Sequence, residues 1–129
     1  ADDLENPTNQ ILKGDECIIK MKVKFNRQVE DPIFAITIVN LQGTEVCGTN
    51  TMYESVNTGI CNEGDIKVVE FKQKLNLAGG NYLISFGCTG YENGEFVVYH
   101  RLYEMVNLQI VSSKNTVGYF DMNSKVTVE

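Results

Sequence analysis

Apolar and polar residues alternate along most of this chain. Cys17, Ile19, Met21, Val23 and Phe25 interleave with Lys20, Lys22 and Lys24. Period two with one charged face predicts a half-buried strand. Asp31-Pro32 breaks the chain, and Ile33 to Asn40 follows as a strand rich in β-branched residues. Leu41-Gln42-Gly43 predicts a tight turn, and Thr44 to Thr51 returns antiparallel as a hairpin. Residues 52–64 read as loop. Asp65 to Leu75 reads as a strand with Val69 and Phe71 inward. Tyr82, Ile84, Phe86 and Cys88 then share one strand face, with Leu83, Ser85, Gly87 and Thr89 on the other. Gly90 to Gly94 predicts a turn, and Glu95 to Glu104 a strand or irregular crossing. Met105 to Ser112 alternates again, with Val106, Leu108 and Ile110 in and Asn107 and Gln109 out. A last strand is predicted near Tyr119 to Val128.

No ten-residue segment holds helical spacing, and there is no internal repeat, heptad or low-complexity stretch. Short strands with frequent turns predict an all-β fold, an antiparallel immunoglobulin-like or jelly-roll β-sandwich. Leu75-Asn76-Leu77-Ala78-Gly79-Gly80-Asn81-Tyr82 resembles a tyrosine corner, in which the ring caps the core and its hydroxyl bonds upstream backbone. The plainer alternative is an ordinary buried Tyr at a strand start. The predicted core includes Tyr82, Phe86, Phe34 and Val23.

The 129 residues suit one domain over 1–129, with residues 1–12 as linker or edge strand. Ala1-Asp2-Asp3 reads as the edge of a domain cut from a longer chain. A net charge of −6 disfavours a nucleic-acid surface. No apolar run approaches the ~20 residues of a membrane-crossing helix, and no basic-plus-apolar leader opens the sequence. Four cysteines (Cys17, Cys47, Cys61 and Cys88) allow two bridges in three pairings. Without a leader or a usable glycosylation sequon, reduced thiols in a cytoplasmic protein are the favoured reading. No tight ligand pair points to a metal, and no cofactor is expected.

Catalytic motifs are absent, and His100 is the single histidine. A non-enzymatic role is therefore expected. The outward positions say more. Thr37, Ser85, Asn107 and Gln109 share outward parity on strands that are neighbours in Greek-key sandwiches, around the small residues Ala35 and Gly87. Such a floor, edged by hydroxyls and amides, suits sugar hydroxyls, which both donate and accept hydrogen bonds. Tyr99, His100 and Arg101 are candidates for its rim. The alternative is a polar exterior that binds nothing, since alternation requires outward polar residues anyway. The lysine row likewise reads either as an anion site or as a solvated face.

Several segments in order carry a resemblance. They are Asp31 to Ile38, Gly43 to Thr51, Leu75-Asn76-Leu77 with Gly80 to Ser85, Val106 to Val111, and Gly118-Tyr119-Phe120. Together they resemble the C-terminal domain of Wzt-type ATP-binding subunits of polysaccharide ABC exporters, over about residues 12–129. His100 departs from the pattern, standing about where that family often carries an Asp. The resemblance implies an immunoglobulin-like, non-catalytic carbohydrate-binding module. It implies an O-antigen-like, lipid-linked polysaccharide as ligand, during lipopolysaccharide biosynthesis. It also implies the transporter's ATPase and membrane subunits as partners, with the ATPase domain missing from this chain. The location implied is cytoplasmic, at the inner face of the cell membrane. A homodimer by exchange of the last strand is implied too. A sandwich serving protein interaction or oligomerisation, without a glycan, is the other class considered.

Overall fold

A computed structural model describes residues 10–129, with residues 102–105 described by backbone alone. Among the described residues nine strands fall in chain order: β1 (Gln10–Leu12), β2 (Glu16–Lys24), β3 (Val29–Glu30), β4 (Ile33–Asn40), β5 (Glu45–Asn50), β6 (Ile60–Cys61), β7 (Ile66–Lys74), β8 (Gly80–Glu92) and β9 (Glu95–Val111). No described residue is helical. β1-β9-β8-β4-β5 form one sheet, β2 pairs β7, and the short β3 pairs β6. Every pairing is antiparallel except that of β1 with β9.

The alternation in the sequence sorts residues between layers. Ile19 and Phe71 come from the β2–β7 pair. Phe34, Ile36, Ile38, Ile84, Leu108 and Ile110 come from the large sheet, and all belong to one buried cluster. The result is a β-sandwich. Tyr82 is 4% exposed and its Oη donates to the Ala78 carbonyl at 2.6 Å, so the tyrosine corner forms. Burial raises the Tyr82 pKa. The β4–β5 turn is held by the Asn40 side chain, whose Oδ1 accepts from the Gln42 and Thr44 amides, with Gly43 at φ 86°. All four cysteines are unbridged; Cys61 and Cys88 lie in the core, and burial pushes the Cys88 thiol up to about 11.

Three expectations need correction. First, β8 runs on to Glu92 and turns at Asn93-Gly94, both at positive φ; β9 is one strand of 17 residues rather than two segments. An Asn-Gly pair takes up the left-handed conformation a two-residue hairpin turn needs, so the turn falls there and not at Gly90. Second, no strand forms over residues 119–128. Phe120 makes a single bridge with Leu77, and Met122, Val126 and Val128 remain exposed. Their alternation needs a strand edge, and those residues find none among the described residues. Third, Phe86 and Val23 are only half-buried, whereas Phe34 and Tyr82 are fully buried. Both half-buried side chains line a cleft between the layers.

Candidate functional site

Register places the candidate residues. Ala35 of β4 sits opposite Gly87 of β8, and Gly87 opposite Arg101 of β9. Thr37 sits opposite Ser85 in the adjacent row. These five line a groove of about 340 Å³ on the outer face of the large sheet. Ala35 and Gly87 form its low floor. Asn50 and Glu45 of β5 contribute an amide and a carboxylate.

Aromatic rings stand around the groove. Tyr53 lies on the loop after β5 and is 74% exposed. That loop is tied down: the Tyr53 amide donates to Asn50 Oδ1 at 2.7 Å, and the Phe34 amide to Thr51 Oγ1 at 3.1 Å. Tyr91 and Phe96 face each other across the tip of the β8–β9 hairpin, edge to face, with centroids 5.6 Å apart. Each is 53% exposed. Large aromatic faces left in water beside a groove lined with polar groups are a feature of surfaces that bind something.

Asn107 and Gln109 are on the same outer face but outside this groove. Asn107 sits opposite Leu83 and Gln109 opposite Asn81. At ~3.4 Å per residue their rows lie about 7 and about 14 Å along the strand from Ser85. Gln109 accepts a hydrogen bond from Gln10 Nε2 at 2.9 Å.

Tyr99 and His100 are on the inner face. The pairing slips between Cys88 and Thr89: Cys88 opposes His100 and Thr89 opposes Val98. Tyr99 is the extra residue of a β-bulge, which breaks the alternation. It therefore joins His100 on the inner side, while Arg101 stays outside. Gly90 makes room for the ring, since a Cβ there would lie 3.0 Å from Tyr99 Cε2. Tyr99 Oη donates to Glu92 Oε2 at 2.8 Å, Arg27 Nη2 donates to the same oxygen at 2.6 Å, and the guanidinium lies 5.1 Å from the Tyr99 ring centre. Those two hydrogen bonds, Tyr99 first, lower the Glu92 pKa; burial, then the bond to Glu92, raises that of Tyr99. The cluster ties the hairpin to the β2–β3 loop at one end of an inner cleft of about 450 Å³.

The seven candidates thus fall in three places. Thr37, Ser85 and Arg101 line the outer groove, Asn107 and Gln109 lie farther down the same face, and Tyr99 and His100 face the inner cleft. The rings of Tyr53, Tyr91 and Phe96 were not among them. Their sequence signal was an aromatic in a polar loop and two aromatics flanking Asn93-Gly94. Among the described residues, no group of three or more His, Cys, Asp or Glu is arranged to hold a metal ion.

A second polar cluster pins the end of the chain. Asp121 is 4% exposed; its carboxylate pairs with Lys13 and with Lys114 Nζ at 2.7 Å and accepts from the Asn123 amide at 2.9 Å. Hydrogen bonds from Lys114, then Lys13, hold it well below the usual carboxylate range.

Comparison with known proteins adds the following. The family model described as the Wzt C-terminal domain matches residues 1–122. A solved structure, "Crystal structure of the C-terminal domain of wzt", is similar over 93% of this chain and 74% of its own, at 25% identity and a TM-score of 0.83. No curated protein matches the sequence.

Proposed function

Because this chain belongs to the Wzt C-terminal domain family, a part of an ABC-transporter subunit, we propose that it is a non-catalytic module that binds the glycan its transporter exports. The observation that carries this reading is the outer groove. A floor of Ala35 and Gly87 lets a sugar ring come close to the sheet. Thr37, Ser85, Asn50 and Arg101 offer hydroxyl, amide and guanidinium partners, and three exposed rings offer faces for pyranose stacking. Asn107 and Gln109 extend the same face for further residues of a chain-like ligand. An open groove leaves a glycan partly hydrated, so affinity is modest and the ligand leaves unaltered. The setting is the cytoplasmic side of the membrane that holds the transporter.

Titration of the exported polysaccharide tests the reading. Tyr53→Ala, at an exposed position, should weaken binding about tenfold while leaving the fold intact. Wild-type affinity in Tyr53→Ala, Thr37→Val and Asn107→Ala alike rules the outer face out.

A dimer is a further part of this proposal. Met122, Val126 and Val128 alternate with polar residues and are 78%, 80% and 92% exposed. A second copy supplies an edge for that segment, which favours strand exchange.

A further inference from the structure

We propose that the outer face of the β2–β7 pair docks on an anionic bilayer surface. Register puts Glu16, Ile18, Lys20, Lys22 and Lys24 side by side with Lys74, Lys72, Glu70, Val68 and Ile66 on this face. Every one of these is exposed. Five lysines against two glutamates give the face a charge of +3. The whole chain is −6, so the remainder carries −9. Among the described residues, only Lys20 and Glu70 approach as an ion pair there, at 3.4 Å with both side chains half exposed.

Apolar side chains lie among the lysines. Ile18 is 49% exposed, Ile66 53% and Val68 59%. Two of them sit directly opposite lysines, Val68 with Lys22 and Ile66 with Lys24. Lysine stems reach outward past such residues, so ammonium groups meet lipid phosphates while the aliphatic groups enter the boundary below them.

Composition favours lipid over an acidic protein. Protein interfaces are enriched in Arg and aromatic residues and depleted in Lys. This face has neither Arg nor an aromatic ring, and all its cations are lysines. Lysines are point charges that suit a diffuse layer of phosphates rather than the fixed geometry of carboxylates. The −9 on the rest of the molecule turns this face toward such a layer and the other faces away. A subunit of a membrane transporter works close to that layer. The glycan groove is on the other sheet, so a docked domain leaves it open.

Cosedimentation with vesicles of phosphatidylcholine, with and without phosphatidylglycerol, tests the proposal. Wild-type protein should pellet with the anionic vesicles alone and be released by high salt. Lys22→Glu and Lys125→Glu change net charge equally, but only the first should lower binding, by about tenfold or more. Lys22→Gln should lower it roughly fivefold with less disturbance to the sheet. Val68→Ser should weaken it severalfold at constant charge. Absence of wild-type binding to anionic vesicles, equal binding to neutral ones, or equal loss in Lys125→Glu overturns the proposal. Glycan titration of Lys22→Glu should match wild type, so the two sites fail separately.

Discussion

Two glycines opposite β4 make opposite predictions. A Cβ added at Gly48 of β5 would lie 2.6 Å from the Ile36 carbonyl oxygen and 3.2 Å from Thr37 Cα. Both are backbone atoms of the neighbouring strand, so no rotamer change relieves the overlap. β5 is at the end of the sheet order and can move outward, which limits the damage to lost pairing along Ala35 to Val39. Overpacking of this kind costs about 1–3 kcal/mol. Against it, Ala in place of Gly in a strand recovers up to about 1 kcal/mol of chain entropy. Gly48→Ala should therefore lower stability by about 1–2 kcal/mol. A Cβ added at Gly87 would lie 3.9 Å from the His100 carbonyl oxygen and 4.0 Å from Ala35 Cβ, ordinary contact distances. Gly87→Ala should be neutral or stabilising by up to about 1 kcal/mol, although β8 is central in the sheet. Urea unfolding at constant m separates the two. A Gly48→Ala midpoint equivalent to a change within about 0.5 kcal/mol refutes the steric argument. Gly87 also tests the groove. Gly87→Val keeps the fold but raises the floor beside Ala35, and should cut glycan affinity about tenfold or more, equivalent to about 1.4 kcal/mol. A folded Gly87→Val that binds like wild type means that no sugar rests on that floor.

Three other outcomes are expected. Tyr82→Phe keeps the ring but leaves the Ala78 carbonyl without its partner, and chemical denaturation should show a loss of about 1–3 kcal/mol. Asp121 is held below the ordinary carboxylate range, so its stabilising effect is complete above about pH 4 and fades as pH falls toward its lowered native value. Limited proteolysis should find residues 119–123 protected at neutral pH and released in strong acid, and Asp121→Asn should release them at neutral pH and abolish that acid dependence. Truncation after Asn123 spares the Asp121 cluster but removes Val126 and Val128; sedimentation should then show a monomer where the full chain is a dimer, with a melting midpoint that no longer depends on protein concentration.

Much of the fold could be read from the sequence because one physical demand repeats along it. A strand between core and water must alternate; β2 does so throughout and β7 from Val68 onward, while β4, buried on most of its length, shows itself by its β-branched run. The tyrosine corner was readable for a similar reason, since a Tyr four residues after Ala78 across two glycines has few other ways to satisfy a buried hydroxyl. The end of the chain was not. Residues 122–128 alternate as well as β2 does, but alternation records a preference for an edge and not whether the chain has one to offer.

The site was harder to read because alternation fails where β9 departs from it. Opposite Ser85, β9 carries extra residues between Leu102 and Val106, and opposite the step from Cys88 to Thr89 it carries Tyr99. The single extra residue Tyr99 resets which face the following residues occupy, whereas the insertion between Leu102 and Val106 adds two residues and keeps the parity, with Leu102 opposite Phe86 and Val106 opposite Ile84. Strict parity puts Tyr99 and Arg101 together and His100 apart; the bulge puts Tyr99 with His100 inside and leaves Arg101 beside Gly87. The same bulge restores Val98 and Phe96 to the outer face, opposite Thr89 and Tyr91. Without it Phe96 would turn to the inner cleft while Tyr91 of β8 stayed outside, and the groove would lose one ring of its aromatic wall. The bulge that hid the site from a period-two reading is thus the feature that builds it. Its anchor is specific: Tyr99 fits against Gly90 and is held by Glu92, which Arg27 holds in turn. A bulky residue at position 90 therefore acts on the outer groove from the opposite face of the sheet, by expelling the ring whose place sets the register of β9.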